Sequence, residues 1–317
     1  MRLGHQPGVL GPPVGHLTQR YRHAPVAKLE IHPLSELRAE AAALLAERYS
    51  RQLAAEPLLP EVGDFEAHLP AEGSVATRGG EAVAYLAKET GDLWHPSFAG
   101  HAAREPEALR DLWAAAAGAS GETRFSIAVP ASDAGLIDAW FRLAFGCQAV
   151  WAVREVEAAD AVDFGGSIRA ATDDDTEAIL DFDELLYLHQ QAAPSFSGLT
   201  PPQRDEVRAE VWADDAFLPF VAERDGRVVG LLGLYRRPEG DLRVPAGNVD
   251  LAFAATRPEA RGGGVGLALT AHAMSWAHEH GYRSMTVDWR VVNLLSSRFW
   301  PRRGFRPQYL RLYRAVP

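Results

Sequence analysis

The sequence is short of cysteine, of lysine and of long apolar runs, and each shortage removes a class of answers. Cys147 is the single cysteine among 317 residues, so no intrachain disulfide can form, and no cysteine–histidine spacing matches a zinc site. A reducing, cytoplasmic compartment is the natural expectation. No stretch of 18 or more apolar residues occurs, so no membrane-spanning helix is expected. Basic charge is also scarce: 32 lysines and arginines stand against 42 acids, a net charge of −10. That balance argues against a nucleic-acid partner and suits a cationic one. Lys28 and Lys88 are the only lysines; every other basic residue is arginine, a skew that carries no mechanistic weight.

What is present is globular. Hydrophobic residues make up 47% of the chain and charged residues 23%, and the length accommodates two domains at roughly 150 residues each. Residues 1–26 are interrupted by glycine and proline throughout and hold no apolar core of a signal peptide, so a flexible extension is expected there. His5, His16 and His23 within it match no metal-ligand spacing.

The two halves repeat one another. Trp140, Phe145 and Arg154 have identical counterparts at Trp300, Phe305 and Arg314, all at an offset of 160 residues, and Asp133 falls opposite Asn293. Both segments alternate strand, helix, strand. The joint lies in the polar stretch from Glu155 to Gly166, after which Ser167–Thr172 reads as a fresh first strand and Thr172–Glu177 as an acidic helix start. This divides the chain into the extension at 1–26, a first unit at 27–157 and a second at 167–317.

The chemistry-bearing motif lies in the second unit. An apolar strand, Asn248–Ala255, runs into a glycine-rich turn, and a helix starts near Leu267. Such a turn leaves backbone N–H groups aimed outward, glycine permits close approach, and the helix dipole favours an anion, so a pyrophosphate is the natural guest. Neither the dinucleotide pattern G-x-G-x-x-G nor the P-loop fits. Arg261, Gly262, Gly263, Gly264, Val265 and Gly266 instead spell R-x-x-G-x-G.

That loop resembles the coenzyme-A pyrophosphate loop of the GNAT acetyltransferase superfamily. The resemblance extends over residues 167–317. Strand Ser284–Arg290, then Asn293, a short helix ending in Gly304-Phe305, and a last strand at Tyr309–Tyr313 follow in the family's order. Upstream, Phe220–Tyr235 reads as a hairpin turning at Asp225-Gly226. The first unit keeps a similar hairpin around Gly79-Gly80, but at the loop position it has His101–Pro106, with no glycine and a proline that lacks an N–H. The implied fold class is α/β (α+β): two tandem GNAT-like domains, each a mixed, mostly antiparallel central sheet flanked by helices, the first degenerate.

The resemblance implies acetyl transfer from acetyl-CoA to an amine by direct attack. Coenzyme-binding residues would be Ala254, Ala255, Thr256, the loop from Arg261 to Gly266, Asn293, Ser297 and Trp300. Asp250, on the strand before the loop, is the first choice as base, and Asp288 the second. Trp300 stands where many family members carry tyrosine, and indole cannot donate that proton, so the candidates for a substitute acid are Tyr309, Tyr313 and Ser297, unless the thiolate needs no specific acid. The acceptor would be a small-molecule amine near Tyr187, His189, Phe196, Trp212 and Phe217 with acids Asp181, Asp183 and Glu184. A homodimer stays open. The competing reading is a non-catalytic, acyl-CoA-binding or ligand-sensing protein.

Overall fold

The computed structural model describes residues 27–88, 97–120, 123–192, 202–238 and 240–315; the expected extension at 1–26, and Phe196, lie outside them. The first half supplies β1 (Leu29–Pro33), α1 (Arg38–Ala55), β2 (Glu72–Arg78), β3 (Glu81–Lys88), β4 (His101–Ala103), α2 (Ala108–Ser120), β5 (Arg124–Pro130), α3 (Ala134–Arg142) and β6 (Gly146–Glu155). The second supplies β7 (Ser167–Ala170), α4 (Thr176–Ala192), α5 (Arg204–Glu210), β8 (Phe217–Arg224), β9 (Arg227–Tyr235) and β10 (Asn248–Thr256). It ends with α6 (Val265–Glu279), β11 (Ser284–Arg290), α7 (Ser296–Phe299) and β12 (Arg306–Ala315).

Both hairpins form where the glycine turns place them. Gly79 and Gly80 turn β2 into β3 with φ of 61° and 86°, and Asp225 and Gly226 turn β8 into β9 with φ of 51° and 71°. Two successive positive φ values match the right-handed twist of paired strands.

The repeat is exact in register at its ends. β5 and β11 begin 160 residues apart, as do β6 and β12. In space, however, the halves share these strands. One sheet holds β1-β2-β3-β4, and an eight-stranded sheet runs β5-β12-β6-β11-β10-β9-β8-β7. Thus β6, which ends the first unit, pairs with β11 of the second, while β12 pairs with β5 of the first. The two exchanged strands also pair with each other. Each therefore has a neighbour on both sides and neither presents an open edge.

The joint between the units is packed rather than loose. Val156 and Phe164 are buried in the core that α6 forms against the large sheet. Ser275 on α6 holds residue 159 at both ends, donating to its carbonyl at 2.8 Å and accepting from its N–H at 3.2 Å. A second core gathers Trp113, Trp140, Phe125 and Phe145 beneath α2 and α3. A third, with Tyr49, Tyr85 and Tyr309, lies under α1. Among the described residues, no helix is long and apolar enough to cross a membrane, and no cluster of three metal-ligating side chains occurs.

One pair of repeat positions makes a backbone prediction. Gly304 and Ala144, 160 residues apart, both close the short helix before the last strand of their unit, with φ of 81° and 62°. Glycine adopts that conformation freely, whereas alanine there is strained by about 1 kcal/mol. Ala144→Gly is expected to stabilise the protein by about 0.5–1 kcal/mol and Gly304→Ala to destabilise it by a similar amount, both read from thermal or urea unfolding.

Candidate functional site

β10 and β11 run parallel and are paired only over Asn248–Leu251 and Ser284–Val287. Beyond that they part. β10 follows β9 to Thr256, with a register shift between Leu251 and Phe253, while β11 stays on β6 as far as Arg290. α6 lies over the fork. Its close seating on β9 needs Gly230, where a Cβ would stand 2.7 Å from Val265 and 2.9 Å from Leu269.

The fork opens into a cleft of about 390 Å³. Ten of the residues expected to hold the coenzyme line it: Ala254, Ala255 and Thr256 from β10, Arg261, Gly262, Gly264, Val265 and Gly266 from the turn and helix start, and Asn293 and Trp300 beyond β11. Gly263 and Ser297 belong to the same turn and short helix without lining the space. The opposite wall comes from Leu185, Leu186 and His189 of α4. In the sequence those leucines are part of an apolar helical stripe, and spacing alone does not say which apolar face meets a ligand.

The turn is built as an anion cradle. Gly262 and Gly264 have φ of 78° and 84°, and Gly264 is the residue that enters α6. The N–H groups of Gly262, Gly264, Val265 and Gly266 donate to no backbone carbonyl among the described residues. Four orphan donors at a helix start, with the positive end of the dipole behind them, are the physical requirements for a phosphate. Arg261 is exposed and takes part in no ion pair with a described residue, so its guanidinium is free to join them. Arg224 braces the turn from below by donating to the carbonyls of Phe164 and, at 3.3 Å, Gly263.

Asn293 acts as the cap of the short helix. Its Oδ1 accepts from the N–H groups of Leu295 and Ser296 at 3.2 and 3.3 Å and lies 3.2 Å from Nε2 of His189, which ties α4 to the far rim of the cleft. Asp133 caps α3 in the same way in the first half, accepting from Leu136 N–H at 3.0 Å.

The expected catalytic residues are placed less as the sequence implied. Asp250 is buried, and both its oxygens are engaged: Oδ1 by the Thr286 hydroxyl at 2.7 Å and Oδ2 by Arg237 Nε at 2.7 Å. It ends a polar ladder in which Ser284 donates to Asn248 and Asn248 to Thr286. A carboxylate held on both oxygens in this way is a positioned anion rather than a free base. Asp288 is two residues beyond Thr286 on β11, hence on the same face, at the point where the strands separate. Its side chain is 40% exposed, with Arg290 3.4 Å away. Burial in its recess raises its pKa, Arg290 opposes this, and the charge of Asp250 adds to it.

Tyr309 does not line the cleft. It is fully buried on the face of the sheet opposite α6, against Phe98 at 4.7 Å, and burial raises its pKa. Among the described residues lining the cleft there is no tyrosine.

Of the residues expected around an acceptor, His189 lines the cleft, while Asp181, Glu184, Trp212 and Phe217 have structural partners. Asp181 and Glu184 pair with Arg204, and Asp181 also with Arg257. Trp212 donates to Thr176 at 2.9 Å, and the ring of Phe217 fills the space that a Cβ on Gly233 would need.

In the first half the corresponding space is filled. β4 and β5 belong to different sheets. Trp140, at the position of Trp300, is wholly buried and donates to His101 at 3.2 Å, with Trp113 and Phe145 edge-on to it at 6.0 and 5.1 Å. α2 begins after Pro106 with no glycine turn.

Comparison with known proteins agrees with this geometry. Residues 183–305 match the model of the Acetyltransferase (GNAT) family. No curated protein matches the sequence. Among solved structures, a GCN5-related N-acetyltransferase from Sphaerobacter thermophilus superposes with a TM-score of 0.53 at 17% identity, covering 90% of this chain and 95% of that one. The glucosamine N-acetyltransferase region of a fungal multi-domain GH3 beta-N-acetylglucosaminidase superposes at 0.54 with 15% identity, over 92% of this chain and 38% of that one. A tandem GNAT protein from the clavulanic acid biosynthesis pathway gives 0.46 at 17% identity, over 92% and 99%. Residues 183–305 thus match the GNAT family model, and the chain shares its fold with solved GCN5-related N-acetyltransferases.

Proposed function

We propose that this protein transfers an acetyl group from acetyl-CoA to the amine of a small molecule, at the fork between β10 and β11. The observation that carries the reading is the start of α6, with its unpartnered N–H groups, its left-handed glycine and a cleft in front of it. The pyrophosphate would rest on Gly262–Gly266, the pantetheine arm along Ala254 and Ala255, and Asn293 and Trp300 would close the far side. The first half would shape the site without binding coenzyme, because its equivalent space holds Trp140, Trp113 and Phe145.

At the fork the amine nitrogen attacks the thioester carbon, an N–C bond forms and the C–S bond breaks. The ammonium proton passes to Asp288, directly or through one water, and the departing thiolate takes a proton from solvent. A base must be deprotonated to act, and its environment holds Asp288 above the usual carboxylate range. A non-catalytic acyl-CoA sensor is the second reading, supported by the absence of tyrosine from the described cleft lining. Thiol release separates the two: a sensor binds acetyl-CoA and releases none with any amine.

Calorimetry with acetyl-CoA tests the cleft. Arg261→Gln is expected to weaken binding several-fold with the melting temperature unchanged, and Gly264→Val to abolish it; retained binding in Gly264→Val refutes the loop assignment. The carboxylates are separated by kinetics. Asp288→Asn is expected to lower kcat by at least about 100-fold while leaving acetyl-CoA affinity within a factor of about three. Activity should rise with pH through the raised pKa of Asp288. Asp250→Asn removes a neighbouring negative charge, so the acid limb should move to lower pH. Asp250→Ala, which strands Arg237 and Thr286, is expected to cost about 1–3 kcal/mol of stability.

A further inference from the structure

Beside Asp288 the large sheet carries two arginines whose chemistry is unmet. The register β11–β6–β12 sets Arg290 opposite Ala149 and Ala149 opposite Arg311. Directly opposed residues share a face, so both arginines flank one alanine across two strand spacings, roughly 10 Å. The adjacent row reads Asp288, Trp151, Tyr309. Ala149 between them is fully buried.

Arg311 donates to no described residue and has no ion pair among them, although it lies within reach of the field of Asp288. Its Nε and that of Arg290 are both withdrawn from solvent and both lack an acceptor. A guanidinium N–H removed from water without an acceptor is costly, and two such groups on one face beside Asp288 call for a shared anionic guest. The planar fork of arginine fits a carboxylate by paired hydrogen bonds. Arg290 alone has a partial partner, Asp288 at 3.4 Å. Asp288 and Arg290 are two residues apart on one strand, about 7 Å along it. A guest bridging them has its ammonium and its carboxylate separated by only a few bonds.

We propose that the acceptor is an amino acid, its carboxylate bound by Arg311 and Arg290 and its amine presented to Asp288. The assignment rests on the acetyl-transfer reading for its chemistry but not for its binding, since the arginine pair would hold a carboxylate whether or not transfer follows. Arg311 is a binding residue, and Arg290 both binds and positions Asp288.

The test uses leucine, phenylalanine and methionine, each with its carboxamide and its decarboxylated amine, and acetyl-CoA as donor. The acids are expected to be acetylated with KM at least about tenfold below the amides. In Arg311→Gln that preference should fall to about one through KM rather than kcat, and Arg311→Lys should keep part of it. Equal use of acids and amides, preference for the decarboxylated amines or for phosphoethanolamine, or a preference that survives Arg311→Gln overturns the proposal. If no amine releases thiol, thermal shift decides: protection by the acids but not the amides, lost in Arg311→Gln, upholds the carboxylate site and refutes acetyl transfer. No protection by any acid refutes the carboxylate site itself. Calorimetry with acetyl-CoA on the same samples reports separately on the coenzyme cleft.

Discussion

The site depends on one competition between strand partners. β11 is held by β6 over seven register pairs and β10 by β9 over six, whereas β10 and β11 share only four. The outer partners pull further than the inner pairing can follow, so the sheet divides. The divided strands make the cleft in front of α6 and set Asp288 at the apex on the opposite face. Since β6 comes from the first half of the chain, the first unit contributes to the site through its backbone. Deleting it would remove the partner that keeps β11 in place.

The same competition explains why the first half is closed. There β4 has only three residues and no pairing with β5, so the two sheets are fully separated at the equivalent point. A gap of that size without a ligand would leave apolar walls unpacked, at a cost that grows with its volume. Trp140, Trp113, Phe125 and Phe145 fill it. Trp300 is the repeat partner of Trp140, yet it lines an open space, so the same residue type closes one unit and borders the cleft in the other. The difference lies in the turn: glycines and a free helix start in one case, Pro106 in the other.

Much of this was legible in the sequence. The offset of 160 located both repeated strand pairs, and the two glycine hairpins and the R-x-x-G-x-G turn formed where they were read. These are local signals, set by φ and by residues a few positions apart. The exchange of β6 and β12 was not legible, because either strand could complete the sheet of its own unit with the same alternation of side chains. Partner choice is a matter of spatial register, which a period of two does not encode. The linker, polar in composition, was likewise bound down by Val156 and Phe164, two apolar residues too few to show as a pattern.

The two aspartates show the limit most clearly. Asp250 and Asp288 lie on neighbouring parallel strands, on one face, each among apolar residues in sequence. Nothing local ranks them. What separates them is a residue outside both strands: Arg237, which follows β9 and reaches back to Asp250. With that pair formed, and Thr286 on the remaining oxygen, Asp250 becomes a fixed charge that raises the pKa of Asp288 across the strand gap. The charge of Asp250 thus adds to the effect of burial on the neighbouring carboxylate. The chemistry of the fork is therefore a property of the pair and of Arg237, and no single residue or motif in the sequence carries it.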